Sequence, residues 1–595
     1  MTAKGPESER DANQSLRTDA TENIELSVGP LRMLYDAGSL RYIKFRGVEV
    51  LRGIAFFVRD ANWGTVPNSI EDLKIERSPS GFTLHFRAGS KMDDIDFRWN
   101  CTIIGTEDEI SFEILGTAFS NFESNRTGFV VLHPNTLAGH PVEVTHPDGN
   151  QSKGSFPTLI SPHQPFKDIS QMDWQLDGLA VQLEFAGEVF EMEDQRNWLD
   201  ASYKTYCTPL ERPFPVRINK ENEVHQKIAL SFSGDIAEKS DQPAENQLVI
   251  KANHRSMPEI GLTANEAHLT EQAADLLRQL NLSHLRVEAK THEENWVDSF
   301  ERQAKQAIQL EVPVELVIYT QADRIASHVA TLTSSARFGD LELKRVVAFD
   351  LDEQSTSSEF ITSVSASIRE NFDGVPFGGG TDYYFTEVNR FRPPMDQLDF
   401  LTFSVNPQVH AFDDLSVLET ISTFPDIARS AHQISTGKPV YLSPVTLKPR
   451  LNPAATNPKA RFKSKVERTD ARQAERLAKL WTLGSLKSIS QTELSGATFF
   501  QTYGPEGILS EEGRYPVYDA FLLIARLKDF NVVEAVSSNP LVFEGFVLDK
   551  DEERYYVLMN FTDAPLSVTI NDRTQSLAAQ EIIALDTKME RVDLI

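Results

Sequence analysis

From about Glu22 to Gly234 the chain alternates apolar with polar positions in short runs, the period of half-buried strands. Ile24–Val28, Leu40–Phe45, Phe82–Phe86, Ile95–Ile104, Glu109–Leu115, Gly128–His133, Leu179–Phe185 and Lys227–Ser233 are such runs, separated by Gly, Pro, Asn and Asp turns. So many strands without a long helical pattern predict a β-sandwich. Near Pro258 the pattern changes to alternating strand-like and helix-like segments. The expected strands are Ile260–Leu262, Leu285–Glu288, Val314–Tyr319, Arg345–Leu351, Tyr383–Val388, Phe400–Val405, Val440–Val445 and Ala497–Thr502. Helical patterns follow most of them, although the fifth is followed by Pro393-Pro394. Eight strands at this spacing predict a (β/α)8 TIM-like barrel. A doubly wound open sheet is the alternative, but Gly261-Leu262-Thr263-Ala264 lacks its G-x-G-x-x-G turn. After Gly507 come one helix, Val517–Leu527, and a run of strands from Val532 to Ile595. The predicted organisation is multidomain α/β plus all-β. It comprises a flexible tail (1–21), an N-terminal β-sandwich (22–245), a central barrel (246–507) and a small C-terminal β-domain (508–595).

Composition narrows the partners. At 595 residues the chain can hold several cores. Its 40% hydrophobic and 25% charged content is that of an ordinary soluble globular protein. A formal net charge of −28 argues against nucleic acid and an anionic membrane surface. No apolar run approaches the roughly 20 residues of a membrane span. The first 22 residues carry no apolar signal segment. The two cysteines, Cys101 and Cys207, are far apart and suggest no disulfide framework. A cytoplasmic protein is the expectation.

In a barrel of this kind the site lies at the carboxyl ends of the strands. Those ends carry Glu288 after strand two, Asp350 after strand four, and Glu387, Asn389 and Arg390 after strand five. Asn406, Gln408 and His410 follow strand six, Lys448 and Arg450 strand seven, and Gln501 and Tyr503 strand eight. A core needs none of these polar types, and burying them unpaired costs several kcal/mol each. Glu387 is the leading candidate for a general acid or base, with a structural Glu–Arg pair as the bland alternative. His410 is the natural second proton carrier, against a hydrogen-bonded structural histidine. Lys448 and Arg450 could steady an oxyanion or simply face solvent. The triple glycine at 378–380 reads as a flexible loop.

Other chemistries lack their spacing. No H-x-H or H-E-x-x-H occurs, and the thirteen histidines are scattered, so no metal site is expected. There is no phosphate loop and no G-x-S-x-G elbow. A glycosidase needs two carboxylates, one of them in the common retaining plan after strand seven, where Val440 to Arg450 has none. The nine residues Phe190–Trp198 hold three acids, an Arg, an Asn and a Trp, a mixture suited to hydroxyls and a sugar face. Asp194 and Arg196 within it either close over a ligand or form interface salt bridges.

The chain resembles the D-apionolactonase family of bacterial sugar-acid catabolism. Leu132-His133-Pro134, Val144–Gly149, Ser161–Phe166, Phe190–Tyr206, Thr386–Arg390, Asn406–Phe412 and Thr502–Gly507 carry the resemblance. It implies hydrolysis of the five-membered lactone of a branched pentonic acid, with no redox cofactor. The candidates suit that task. Glu387 or His410 would aim water at the carbonyl, and Arg390, Lys448 or Arg450 would hold the oxyanion. Asn389, Asn406, Gln408 and Gln501 would take hydroxyls. A glycosidase and a non-catalytic carbohydrate-binding protein stand as alternatives.

Overall fold

The structure, a computed structural model, describes residues 23–234, 246–353, 355–452 and 463–594. The tail expected over 1–21 lies outside the described residues. By contacts the chain forms two units. The first holds most of the N-terminal portion. The second holds residues 242–595 together with two short segments, 157–163 and 194–201.

The first unit is the expected sandwich, built from two nine-stranded sheets. One inner face contributes Phe56 and Phe129, the other Phe97, Trp99 and Phe112. Phe129 meets Phe112 edge-on with centroids 5.0 Å apart. Alternation explains this packing: in Ile95–Gly105 every second residue is buried. Several strands escaped the sequence reading, among them Val48–Asp60, in which Val50 to Ile54, Arg52 included, are all buried without alternation.

The second unit contains a closed parallel barrel of eight strands. We label them β1 (Glu259–Thr263), β2 (His284–Lys290), β3 (Val314–Thr320), β4 (Leu343–Asp350), β5 (Phe377–Thr381), β6 (Phe400–Val405), β7 (Val440–Val445) and β8 (Gly496–Gln501). Seven agree with the expected strands. The fifth does not: Tyr383–Val388 was expected, whereas β5 is the glycine-rich Phe377-Gly378-Gly379-Gly380-Thr381. Residues Phe385–Arg390 instead form a short helix. The presumed flexible loop at 378–380 is therefore a buried strand. Its glycines answer to close approach rather than to mobility. A Cβ on Gly378 would lie 2.2 Å from the Phe400 ring, and one on Gly380 would lie 1.9 Å from the Thr402 carbonyl oxygen. Gly380 also has φ +146°, a conformation side chains disfavour.

A further difference concerns Asn246–Arg255, placed with the barrel by the sequence reading. This strand pairs antiparallel with Asn531–Ser537 and parallel with Leu566–Ile570, so it belongs to the eight-stranded C-terminal sheet. One face of that sheet (Phe546, Leu548, Val557) continues the barrel core, and the other (Val547, Leu558, Ile583) has its own. Among the described residues no helix is long and apolar enough to cross a membrane.

Because β5 has no room at Gly380, Gly380→Ala should lower unfolding stability by about 2–4 kcal/mol. Urea unfolding measures this, and an unchanged midpoint would contradict the packing described for β5.

Candidate active site

Residues two apart on a strand point to the same side, so Arg286 and Glu288 of β2 both face the barrel interior. Arg286 has no exposed surface. Its Nε donates to Glu288 Oε1 at 2.9 Å, and its Nη2 donates to Asp382 Oδ1 at 2.9 Å and to the Tyr319 hydroxyl at 2.8 Å. Its Nη1 donates to the Ser443 carbonyl and hydroxyl oxygens at 2.9 and 3.0 Å. Arg450, in the segment after β7, spans the same two carboxylates. It donates to Glu288 Oε1 at 2.6 Å and to both oxygens of Asp382 at 3.0 and 3.1 Å. Lys290 Nζ lies 3.1 Å from Glu288 Oε2, and the Tyr319 hydroxyl donates to Asp382 Oδ2 at 2.6 Å. Strands β2, β3 and β7 and the residue directly after β5 thus converge on one ionic network.

Its protonation follows from the partners. Burial opposes charge on Glu288, but Arg450, Lys290 and Arg286 outweigh it and hold the carboxyl well below the usual carboxylate range. Burial, reinforced by Asp382 and Glu288, pushes the Tyr319 phenol well above its ordinary value, so it remains a neutral donor. Above the network lies a small concavity, with Tyr319, Asp350, Thr381, Asp382, Tyr383 and Leu451 in its wall. Asp350, the last residue of β4, accepts from the Asp352 N–H at 2.9 Å. Burial raises its pKa, with Glu353 and Asp352 adding to the effect.

The expected site residues divide sharply. Glu288 is in the network and Asp350 in the cavity wall. Arg450, weighed for the oxyanion, is in the network as well. Others are engaged in holding segments 157–163 and 194–201. Asn389 donates to the Ile160 carbonyl at 3.0 Å and to Asn197 Oδ1 at 2.9 Å. Arg390 donates to the Pro162 carbonyl at 2.8 Å and stacks 5.4 Å over the Trp198 ring. Arg196, fully buried, pairs with Asp194 at 2.7 Å and Asp426 at 3.1 Å and donates to the Pro157 carbonyl at 2.7 Å. Asp194 also accepts from the Ser161 N–H at 3.0 Å. Of the two roles open for Asp194 and Arg196, these contacts match the salt-bridging one.

Asn406 accepts from the Gln408 N–H at 3.2 Å, and Gln408 in turn donates to the Leu447 carbonyl at 2.7 Å and to Asp470 at 2.8 Å. Gln501 accepts from Asn265 at 3.2 Å, and Asn265 also donates to the Tyr503 carbonyl oxygen. Lys448 is half-buried. His410 pairs through Nδ1 with Asp200 Oδ2 at 2.8 Å and meets the Trp198 ring edge-on at 5.2 Å. Trp198 joins Val409 and the cavity-wall residues Tyr383 and Leu451 in one apolar cluster.

Glu387 needs a correction of place. It does not end a strand; it lies in the first turn of the helix Phe385–Arg390, where Oε2 accepts from the Tyr384 N–H at 2.9 Å. Burial is the main cause of a pKa raised to about 8, only partly offset by backbone N–H groups and Arg390. Asp382, Tyr319, Arg286 and Lys290 were not among the expected site residues. Asp382 follows β5, which was not read as a strand. The other three lie on strands that were recognised, and the period-two rule from Glu288 would have found Arg286 and Lys290. Among the described residues no group of three or more His, Cys, Asp or Glu could hold a metal ion.

Glu387 carries a pH signature. A carboxyl whose folded pKa exceeds its unfolded value loses stability as pH rises from about 4.3 toward the folded value near 8. Glu387→Gln keeps an acceptor for the Tyr384 N–H without the charge. Relative to wild type it should gain several kcal/mol between pH 5 and pH 8 in urea unfolding. A difference that stays constant across that range would contradict the buried, cation-poor setting.

Comparison with known proteins agrees along most of the chain. The D-apionate lactonase N-terminal domain family matches residues 12–235, and the D-apionate lactonase TIM barrel domain family matches residues 259–529. D-apionate lactonase of Brucella anthropi is 32% identical over 593 positions, spanning 93% of this chain and 95% of that protein. Solved structures are more distant. A GH30 endoxylanase from Clostridium papyrosolvens is 11% identical, covering 58% of this chain and 99% of that one at a TM-score of 0.39. An endo-beta-1,4-mannanase from Thermotoga petrophila is 11% identical, covering 55% and 97% at a TM-score of 0.33. Likeness of that depth decides nothing about chemistry. Two matching domain families and a relative aligned over nearly its full length do decide kinship: the chain belongs to the D-apionate lactonase family.

Proposed function

We propose that this protein hydrolyses a sugar-acid lactone, with the lactone of D-apionic acid as its substrate, and releases the open acid. The observation that carries the reading is the network of Glu288, Asp382, Arg286, Arg450 and Tyr319 under a cavity walled by Asp350. Lactone opening needs three things: a base for water, donors for the oxyanion, and a proton for the departing ring oxygen. Asp350 is the base. Burial raises its pKa and, among the described residues, no cation pairs with it, so it takes up a proton more readily than an ordinary aspartate. Water attacks the carbonyl carbon as its proton passes to Asp350. The oxyanion is held by the Arg450 guanidinium. As the ring C–O bond breaks, Asp350 returns the proton to the ring oxygen. Glu288 and Asp382, kept in place by two arginines, accept from substrate hydroxyls.

A second reading assigns the proton to His410. It is favoured by Asp200 on Nδ1, which leaves Nε2 to act as the base. The glycosidase alternative wants a carboxylate after β7, where this chain supplies Arg450.

Acid release from D-apionolactone, followed by pH-stat, tests the reading; aryl glycosides should release nothing. Arg450→Ala should lower kcat about 10²–10³-fold. Asp350→Asn should lower it about 10²–10⁴-fold with a small change in KM, and His410→Gln less than about fivefold. The acid limb of kcat/KM should lie above the ordinary Asp value of about 3.9, because activity requires ionised Asp350. A wild-type protein that leaves aldonolactones intact would end the proposal. A large loss in His410→Gln with Asp350→Asn unaffected would move the base to His410.

A further inference from the structure

Beneath the cavity the barrel interior is charged where aliphatic layers are usual. Glu315, the second residue of β3, has no exposed surface. One of its oxygens accepts from the Ser443 hydroxyl, and the other from Arg345 Nε at 2.7 Å. The same Ser443 hydroxyl accepts from Arg286 Nη1 at 3.0 Å, and Arg286 Nη1 stands 4.0 Å from Glu315 Oε1. Arg345 is anchored below by Glu259 at 2.8 Å, and its guanidinium lies 3.9 Å from the centroid of the Tyr441 ring. A single hydroxyl thus joins the guanidinium that holds both upper carboxylates to a second, deeper ion pair.

We propose that Ser443 and Glu315 are positioning residues of the hydrolytic site: Glu315, acting through the Ser443 hydroxyl, fixes the rotation of the Arg286 guanidinium and so the placement of Glu288 and Asp382. This rests on the lactone-hydrolysis reading for its kinetic consequence. Arg286 has two carboxylates on one side, Glu288 at Nε and Asp382 at Nη2. Arg450 competes for both. Unopposed, the guanidinium could slide toward either. The Ser443 hydroxyl and carbonyl occupy Nη1 and leave one orientation that serves all five contacts. Ser443 and Glu315 have no exposed surface, so neither touches the substrate.

Ser443→Ala removes the hydroxyl and leaves the Glu315–Arg345 pair in place. Measured on the lactone, kcat should fall tenfold or more while KM moves less than threefold. A crystal structure of the variant should show Arg286 displaced from Glu288 or Asp382. Glu315→Gln keeps an acceptor for the Ser443 hydroxyl and should lose less kcat than Ser443→Ala; an equal or larger loss would overturn the role of the hydroxyl. Wild-type kcat in folded Ser443→Ala, or a reduced kcat with both Arg286 contacts intact, overturns the inference. Should the wild-type enzyme open no lactone, the hydrolysis reading fails alone. The variant structure then still decides, and an undisplaced Arg286 refutes the positioning role. Should Ser443→Ala not fold, Ser443→Cys, similar in volume but a weaker hydrogen-bond partner, takes its place with the same outcomes.

Discussion

The buried guanidinium of Arg286 is the constraint from which the barrel's functional end follows. Stripping such a charge of water is costly, and the cost is offset only when its N–H groups and the facing carboxylates are all satisfied. Here Nε, Nη1 and Nη2 find Glu288, Ser443, Tyr319 and Asp382. These partners come from β2, β3, β7 and the residue after β5, so satisfying one side chain brings distant strands into register. Removing either carboxylate would leave Arg286 underpaired, while removing Arg286 would leave two carboxylates to Arg450 and Lys290. The network is therefore closer to all-or-none than to a sum of pairs.

The same reasoning extends through the barrel. Glu288, Asp382, Glu315 and Glu259 face Arg286, Arg450, Lys290 and Arg345, with Lys344 also on Glu259 at 3.1 Å. Pairing of this kind lets a charged column replace aliphatic layers. His284 at its lower end stays neutral: burial and then Arg345 lower its pKa to about 3. Glu315 remains ionised because Arg345 leads the interactions that overcome its desolvation. The column is paid for in specificity of sequence, since each member has meaning only with its neighbours present.

That dependence explains what could be read beforehand. The barrel was legible from eight apolar runs at regular spacing, and Glu288 from its place at the end of one of them. β5 was not legible, because Phe377–Thr381 is selected for closeness to Phe400 and Thr402 and has almost no side chains to show a period. The misreading shifted the expected site onto Glu387, which serves the N-terminal turn of a helix, and away from Asp382. Asn389, Arg390, Asp194 and Arg196 look like ligand-binding residues in sequence because pinning segments 157–163 and 194–201 requires the same donors and acceptors that a sugar would. Residue type could not separate these uses; only the partner atoms do.

Partner atoms also sort the carboxylates into two kinds. Glu288 is crowded by cations and stays ionised, so it can accept from a hydroxyl but holds a proton poorly. Asp350 and Glu387 are desolvated without a strong cationic partner, and both have raised pKa values. Sites that run acid and base chemistry together depend on such a division between environments. Of the two raised carboxyls, Glu387 accepts from the Tyr384 N–H within a helix turn, whereas Asp350 stands in the wall of the cavity above Tyr319 and Asp382. A proton carrier must meet both requirements at once, a raised pKa and access to the reacting atoms, and that conjunction is the ground for proposing Asp350 in place of the carboxylate that sequence alone favoured.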